Sequence, residues 1–180
     1  MLVVAFSGKV GSGKSSVSAA VASVLGWQRV SFGEYVRGVA QAQHLDDSRL
    51  TLQNLGEQLL AADARAFCAN VLAQAPNQSE PLIIDGVRHM QVLRMLRELV
   101  APCSVAHVHL ALDEATRAKR ILACRGEVDA QEIQRIDTHT TEQEVINSLP
   151  QYADLVVDSY DNLTTVTQKV SVWIRSRNLR

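Results

Sequence analysis

Apolar residues along the chain fall into two kinds of segment that alternate from one end to the other. The short segments are continuous apolar runs rich in β-branched residues, a pattern typical of buried parallel strands. They predict five strands, at Leu2–Ser7, Arg29–Ser31, Leu82–Asp85, Val105–Leu110 and Leu155–Asp158.

The longer segments carry apolar residues three and four positions apart, which is the spacing of one helix face. Leu52, Leu55, Leu59 and Leu60 follow this spacing after the second predicted strand. The predicted helices cover Lys14–Leu25, Glu34 to about Gln74 with a break at His44–Asp47, Gln91–Val100, Glu114–Ala123, roughly Ala130–Asn147, and Asn162 to about Arg175.

This alternation predicts an α/β fold, a parallel five-stranded sheet with helices on both faces. The chain has 180 residues, the size of one domain, and we expect residues 1–180 to form one. In such a sheet, ligands bind at the carboxyl ends of the strands. Candidate functional residues are therefore those that follow the predicted strands.

Composition narrows the range of partners. Hydrophobic residues make up 47%, charged residues 21%, and the formal net charge is −1, so no basic field predicts nucleic-acid binding. The three cysteines (Cys68, Cys103 and Cys124) form no CxxC pair, which favours a reducing cytoplasm. We also expect no secretory signal peptide and no membrane span, since no apolar run is long enough.

Gly8 to Ser16, read GKVGSGKSS, matches the phosphate-binding pattern G-x-x-x-x-G-K-[ST] directly after the first predicted strand. Glycines allow backbone N–H groups to surround a phosphate, and a following helix adds its positive dipole end. We therefore predict that ATP binds here, with Lys14 on the β- and γ-phosphates. The predicted nucleotide-binding residues are Gly8, Gly11, Ser12, Gly13, Lys14, Ser15 and Ser16. The alternative is a tight Gly/Ser turn without a ligand.

The strand Leu82–Asp85 ends in an acid, and this acid can complete a magnesium site with the Ser15 hydroxyl. The alternative is that Asp85 only caps the Asp-Gly turn. No N-K-x-D motif follows, which disfavours a GTPase switch protein. The chain is short and has no obvious second domain, which disfavours an AAA+ motor. Small P-loop kinases remain.

Four further segments resemble P-loop nucleoside monophosphate kinases, in the group that includes the dephospho-CoA, cytidylate and adenylate kinases. These segments are VSFGEYVRGVA from Val30, LIIDGVRHMQVLRMLREL from Leu82, DEATRAKRILACRGE from Asp113 and YADLVVDSYDNLTTVTQKV from Tyr152. The resemblance implies a nucleotide kinase-like P-loop NTPase with a helical acceptor-binding insertion at about 33–75 and a short lid at about 113–130.

The resemblance also implies roles for individual residues. The residues implied for the acceptor are Gly33, Glu34, Arg37, Gln53 and Arg88, and those implied for catalysis are Lys14, Asp85, Arg88, Arg117, Arg120 and Arg125. For Arg37 and Arg117, the alternative is an exposed, solvated position on a helix. Gln53 belongs to RLTLQNLGEQLL, from Arg49, which resembles a helix of some deoxynucleotide and dephospho-CoA-type kinases; its alternative is simple helix packing. Arg125 departs from the family pattern, because it lies five residues after Arg120 and Cys124 holds the usual place. It is catalytic only if the helix ends at Cys124 and lets it point inward.

These interpretations predict an ATP- and Mg²⁺-dependent phosphotransferase. The leading acceptor is a nucleoside monophosphate, since Arg37 suits an acceptor phosphate. Phosphorylation of a hydroxyl in the manner of dephospho-CoA kinases is one alternative, with Asp85 or Glu34 as base. A non-catalytic ATP-binding sensor is the other. We expect a cytoplasmic monomer or homodimer with a small-molecule nucleotide acceptor and no membrane or nucleic-acid partner. His107 and His109 share a strand face, and we expect them in the core or at an edge.

Overall fold

A five-stranded parallel sheet forms the centre of the fold. The computed structural model describes residues 2–77, 79–125 and 140–178. Neighbouring strands are all parallel, in the order β2-β3-β1-β4-β5. The strands are β1 (Leu2–Gly8), β2 (Gln28–Ser31), β3 (Leu82–Asp85), β4 (Ser104–Ala111) and β5 (Leu155–Asp158). The predicted fold class is therefore confirmed, and the bounds of β3 and β5 agree with the sequence prediction.

Helices connect the strands in the predicted order. They are α1 (Lys14–Leu25), α2 (Phe32–Ala42), α3 (Arg49–Ala62), α4 (Ala64–Leu72), α5 (Met90–Leu99), α6 (Glu114–Arg125), α7 (Thr140–Asn147) and α8 (Leu163–Asn178), with a 3₁₀ helix at Leu149–Tyr152. Helix α2 begins at Phe32 rather than Glu34, because the Ser31 hydroxyl accepts the Glu34 backbone N–H at 3.3 Å and caps the helix. Of the helix predicted over Ala130–Asn147, the first ten residues lie outside the described residues.

The sheet separates two apolar cores. Along β1, Leu2, Val4 and Phe6 pack with residues of α1 and α8. Val3 and Ala5 point the other way and pack with residues of α2 to α5 and α7. This alternation is the period-two pattern of a strand buried on both faces. Helices therefore cover both faces, as predicted.

Three helices, α2, α3 and α4, lie between β2 and β3 and form a helical insertion at the carboxyl end of the sheet. Ser48 and Asp63 cap α3 and α4, since their side chains accept the backbone N–H groups of Thr51 and Ala66. Ser31 is paired with Asp85 in the β2–β3 register. The insertion therefore starts beside the end of β3, next to the predicted metal carboxylate.

Among the described residues, no helix is both long enough and apolar enough to cross a membrane.

Candidate active site

The phosphate-binding loop, Gly8–Ser15, runs from the last residue of the central strand β1 to the second residue of helix α1. Gly11 and Gly13 have left-handed φ values of +84° and +81°, which side chains with a Cβ rarely adopt. A Cβ on Gly8 would lie 2.7 Å from Ser12 Oγ and 2.8 Å from the Leu110 carbonyl oxygen, closer than such atoms approach. The glycines are therefore required by backbone conformation and by space.

This loop lines a pocket with about 1250 Å³ of empty space. Within the described part of the chain, the buried Ser12 Oγ in its wall has no hydrogen-bond partner. A buried hydroxyl of this kind normally finds one, so the loop fits an anionic ligand with acceptor oxygens. A nucleoside triphosphate matches the loop's pattern, its backbone conformation and this hydroxyl.

Lys14, Ser15 and Asp85 meet at the mouth of the loop. Lys14 Nζ lies 3.1 Å from Asp85 Oδ1 and 3.4 Å from Ser15 Oγ. Burial lowers the pKa of Lys14; the attraction of Asp85 opposes this shift, and the positive charges of Arg88 and Arg49 add to it. An anion bound beside Lys14 would oppose this shift and favour the charged ammonium.

Asp85 is almost fully buried, with 2% of its surface exposed. Burial by itself would raise its pKa, but the charge of Lys14, a hydrogen bond from Ser15 and the charge of Arg29 outweigh it and hold the pKa of the carboxyl below its usual value. The Ser15 hydroxyl and the ionised Asp85 carboxylate are oxygen donors of the kind that Mg²⁺ prefers. The described residues contain no group of three or more His, Cys, Asp or Glu side chains that would hold a metal unaided. Magnesium that is shared with a nucleotide needs only one or two protein ligands.

Arg29 also contacts Asp85, and the sequence interpretation missed it. Its Nη2 donates to Asp85 Oδ2 at 2.8 Å and its Nη1 donates to Glu34 Oε1 at 2.8 Å. The only sequence signal for a role of Arg29 is that a charged residue lies two positions before the end of a short strand. Its significance depends on which strand lies beside β2.

A second pocket, with about 730 Å³ of empty space, lies between the helical insertion and the end of β3. Four of the five residues predicted for the acceptor line it: Gly33, Arg37, Gln53 and Arg88. The fifth, Glu34, is not among the lining residues, and its carboxylate is paired with Arg29 instead. The wall also contains the polar residues Arg49, Glu57 and His89. Its apolar side chains are Phe32, Val36, Leu52, Phe67 and Val92.

Arg49 and Arg88 line both pockets and therefore stand at their boundary. Burial and the nearby Arg49 charge lower the pKa of Arg88 to about 9. Two close guanidinium groups repel each other, and an anion placed between them relieves that repulsion. The sequence interpretation did not select Arg49, because it reads as an ordinary first-turn residue of α3.

The lid arginines are placed differently from one another. Arg117 is fully buried under the loop, where its Nη1 donates to the Val10 carbonyl oxygen at 3.2 Å and its Nε to Glu114 Oε1 at 2.8 Å. Arg120 lines the loop pocket, and its Nη2 donates to the Ser159 carbonyl oxygen at 2.7 Å. Helix α6 continues through Arg125 rather than ending at Cys124. The side chain of Arg125 lies outside the described residues.

His107 and His109 belong to a buried network beneath the loop. Ser7 Oγ lies 2.7 Å from His107 Nε2 and 2.8 Å from His109 Nδ1. Burial lowers the pKa of both imidazoles, to about 4 for His109. Both rings are therefore neutral parts of the core, as expected, and they hold the residue that precedes Gly8.

Comparison with solved structures shows the same fold over almost the whole chain. A gluconokinase from Sinorhizobium meliloti 1021 is 19% identical with a TM-score of 0.65, and the match covers 98% of this chain and 94% of that one. Shikimate kinase from Aquifex aeolicus vf5 is 14% identical with a TM-score of 0.60, covering 98% of both chains. Shikimate kinase from Acinetobacter baumannii in complex with shikimate is also 14% identical, with a TM-score of 0.60, covering 99% of this chain and 95% of that one.

A search of curated proteins found no match to the chain. The solved structures named above are kinases, which agrees with the predicted P-loop kinase architecture at the level of fold. The model of one protein family, described as an AAA domain, matches residues 4–147, a range that contains both the loop Gly8–Ser15 and the carboxylate of Asp85. With most of its length matched by that model, the chain belongs to the AAA domain family of P-loop proteins.

Proposed function

We propose that the protein is an ATP-dependent phosphotransferase that moves the γ-phosphate of ATP to a small anionic acceptor. The observation that carries this proposal is the shared wall of the two pockets. Arg49 and Arg88 line both the P-loop pocket and the pocket of the helical insertion. A donor phosphate and an acceptor bound in these pockets would meet at two positive charges, and phosphoryl transfer depends on such positioning and neutralisation.

On the donor side, each residue has a defined task. Lys14 neutralises the β- and γ-phosphates, and Arg120 lines the same pocket beside Gly13. Ser15 and Asp85 hold the Mg²⁺ ion, which supplies charge neutralisation for the phosphates when it is bound. Magnesium and ATP remain the proposed cofactors.

On the acceptor side, a nucleoside monophosphate is the leading candidate. Arg37, Arg49 and Arg88 supply positive charge for a phosphate, and guanidinium groups bind phosphate through paired hydrogen bonds. Phe32 and Phe67, whose ring centroids are 5.2 Å apart, supply an aromatic wall for a base. The buried Gln53 Nε2, which has no hydrogen-bond partner among the described residues, is a donor for a base or ribose oxygen.

Whether Asp85 can act as a base distinguishes a phosphate acceptor from a hydroxyl acceptor. A hydroxyl needs a base near its proton, whereas an acceptor phosphate does not. Two cations bind the oxygens of Asp85 and keep its pKa low, so it suits a metal ligand better than a base. Phosphorylation of a hydroxyl remains the second candidate, because the similar folds named above include a gluconokinase and shikimate kinases. Glu57 is then the candidate base, because it lines the acceptor pocket, whereas Glu34 lies outside it and is paired with Arg29.

The cellular setting is also part of the proposal. Cys68 and Cys103 are free thiols, which suits a reducing cytoplasm. A monomer or homodimer is proposed.

The test measures ATP turnover with Mg²⁺ against nucleoside and deoxynucleoside monophosphates, nucleosides, dephospho-CoA, gluconate and shikimate. Lys14→Ala is the blank, and Arg94→Ala, on the exposed side of α5, is the matched control for loss of an arginine. We expect one monophosphate to stimulate turnover. In Arg37→Ala and Arg49→Gln we expect the acceptor KM to rise about tenfold or more, the value of one hydrogen bond to a charged group.

Stimulation by dephospho-CoA, gluconate or shikimate alone would replace the monophosphate with a hydroxyl acceptor and make Glu57, the carboxylate that lines the acceptor pocket, the next target. Tight ATP binding without acceptor-dependent turnover would contradict the phosphotransferase and favour a non-catalytic sensor.

A further inference from the structure

Arg29 is held by three polar partners from three different elements. Its Nε donates to Ser18 Oγ on α1 at 3.2 Å, its Nη1 to Glu34 Oε1 on α2 at 2.8 Å, and its Nη2 to Asp85 Oδ2 on β3 at 2.8 Å. Its side chain is 18% exposed. A guanidinium that donates from three separate nitrogens has a fixed orientation, because its donors form a rigid planar fork.

The two oxygens of Asp85 are divided between two cations. Oδ1 is bound by Lys14 at 3.1 Å on the P-loop side, and Oδ2 is bound by Arg29 on the β2 side. Lys14 belongs to the phosphate-binding loop and has to engage the phosphates when a nucleotide binds. Arg29 belongs to no phosphate-binding element, so its contact with Asp85 does not have to break when Lys14 turns to the phosphates.

We infer that Arg29 is a positioning residue that fixes the Asp85 carboxylate with Oδ1 turned toward Ser15 for the divalent cation of the bound nucleotide. The inference rests on the proposed binding of ATP with Mg²⁺. Arg29 lines neither the P-loop pocket nor the acceptor pocket, so it acts through Asp85. Glu34 and Ser18 are its anchors, and they prevent the guanidinium from turning with the carboxylate.

The arrangement also links the two halves of the site. Glu34 stands in the first turn of α2, which begins the helical insertion, while Ser18 stands on the helix that follows the P-loop. One guanidinium therefore connects the start of the acceptor side with the metal carboxylate. A lysine at this position would carry the charge but not the fork, so it would satisfy fewer of the three partners.

A purely structural role for Arg29 predicts a different outcome. If Arg29 only joined β2 to its neighbours, its loss would lower stability and would weaken ATP binding equally with and without Mg²⁺. Gln28, the preceding residue, offers a matched control. Its side chain joins β2 to the loop before β3 through Asn77 and Glu80, away from the P-loop.

The experiment is calorimetric titration of the full chain with ATP, once with Mg²⁺ and once with EDTA, together with a Mg²⁺ titration at fixed ATP. Arg29→Gln should weaken Mg²⁺-supported ATP binding about tenfold, the lower end of the value of a hydrogen bond to a charged group. ATP affinity in EDTA should stay within about twofold of the unaltered protein. The Mg²⁺-supported ATP affinity of Arg29→Lys should lie between that of Arg29→Gln and that of the unaltered protein. Gln28→Ala should match the unaltered protein both in Mg²⁺ and in EDTA.

Equal weakening of ATP binding in Mg²⁺ and EDTA, or no weakening in either, would overturn the inference while leaving the proposed function intact. Absence of any ATP binding by the unaltered protein would overturn the proposed function and the inference with it. The unfolding midpoint of each variant, followed by circular dichroism, establishes that it is folded. If Arg29→Gln does not fold, Arg29→Lys decides by the same comparison.

Discussion

Replacement of Arg117 by methionine tests whether this arginine supports the P-loop or moves onto a phosphate. The resemblance to nucleotide kinases implies a lid arginine that closes over the γ-phosphate. In the structure, Arg117 is 0% exposed, and it donates to the carbonyl oxygen of Val10 inside the loop. Methionine keeps most of the apolar stem beside Gly11 and removes only the guanidinium, so the substitution isolates the polar contacts.

The expected cost follows from those contacts. The Val10 carbonyl oxygen loses a charged donor, and a hydrogen bond to a charged group contributes about 1.5–3 kcal/mol. The ion pair with Glu114 contributes less than about 1 kcal/mol, because the Glu114 side chain is 62% exposed and solvent screens the pair. We therefore expect Arg117→Met to lower the free energy of unfolding by about 1.5–4 kcal/mol.

Urea unfolding, followed by the fluorescence of Trp27 and Trp173, measures this loss of stability. A second expected effect, on ATP affinity, is measured by calorimetry with Mg²⁺ and ATP. ATP binding should weaken, because the loop is no longer held in its binding conformation before the ligand arrives. Lys119→Met, an exposed change on the same helix, should stay within about 0.5 kcal/mol of the unaltered protein. Unchanged stability of Arg117→Met combined with lost turnover would refute the supporting role and favour the mobile one.

Three further results are expected. Gly8→Ala should abolish ATP binding in calorimetry, because the new Cβ would lie 2.8 Å from the Leu110 carbonyl oxygen. Gly26 also has a left-handed φ, +66°, but has open space around it. Gly26→Ala should therefore lower the free energy of unfolding by about 1 kcal/mol and leave ATP binding intact. The free energy of unfolding should fall as pH drops from the ordinary histidine pKa of 6.5 toward about 4, because His109 takes up a proton in the unfolded chain but resists it in the folded one. Urea unfolding at about pH 7 and about pH 4.5 measures this fall. In His109→Asn the fall should be smaller than in the unaltered protein by up to about 3 kcal/mol. Leu93→Ala, in the centre of the core, should cost about 2–5 kcal/mol in the same assay while ATP binding persists at temperatures where the variant is folded.

Contrary results would be equally specific. ATP binding by Gly8→Ala would mean that the loop relaxes without its glycine. An acid response of His109→Asn equal to that of the unaltered protein would assign the loss of stability at low pH to the carboxylates instead. A negligible cost for Leu93→Ala would mean that the core collapses around the missing side chain.

Much of this fold could be predicted from the sequence, because it depends on residues that are neighbours in the chain. Strand β3 is a continuous apolar run that is fully buried, and β5 is a similar run at the edge of the sheet, where Val156 is exposed. Their bounds were predicted correctly at Leu82–Asp85 and Leu155–Asp158. The P-loop was readable for the same reason, since its glycines, lysine and serine are neighbours in sequence and act through their own backbone. Helix starts were less certain, as at Phe32, because a cap depends on a single hydroxyl.

Contacts between distant segments were not readable in this way. Arg29 reaches Asp85 only because β2 lies beside β3 in a register that pairs Ser31 with Asp85. Arg49 reaches the wall between the two pockets only because α3 returns over the end of the sheet. No local pattern distinguishes these arginines from solvated ones.

By itself, the sequence determined the order of strands and helices, the phosphate-binding loop and the acid at the end of β3, because each depends on residues within one turn or one strand. The tertiary structure decided which face of α6 is buried, and with it whether Arg117 points into the loop or into solvent. It also decided that Glu34 pairs with Arg29 rather than lining the acceptor pocket. Charged side chains are long and flexible, so the partners that the fold brings within reach, rather than their positions in the chain, fix what they do.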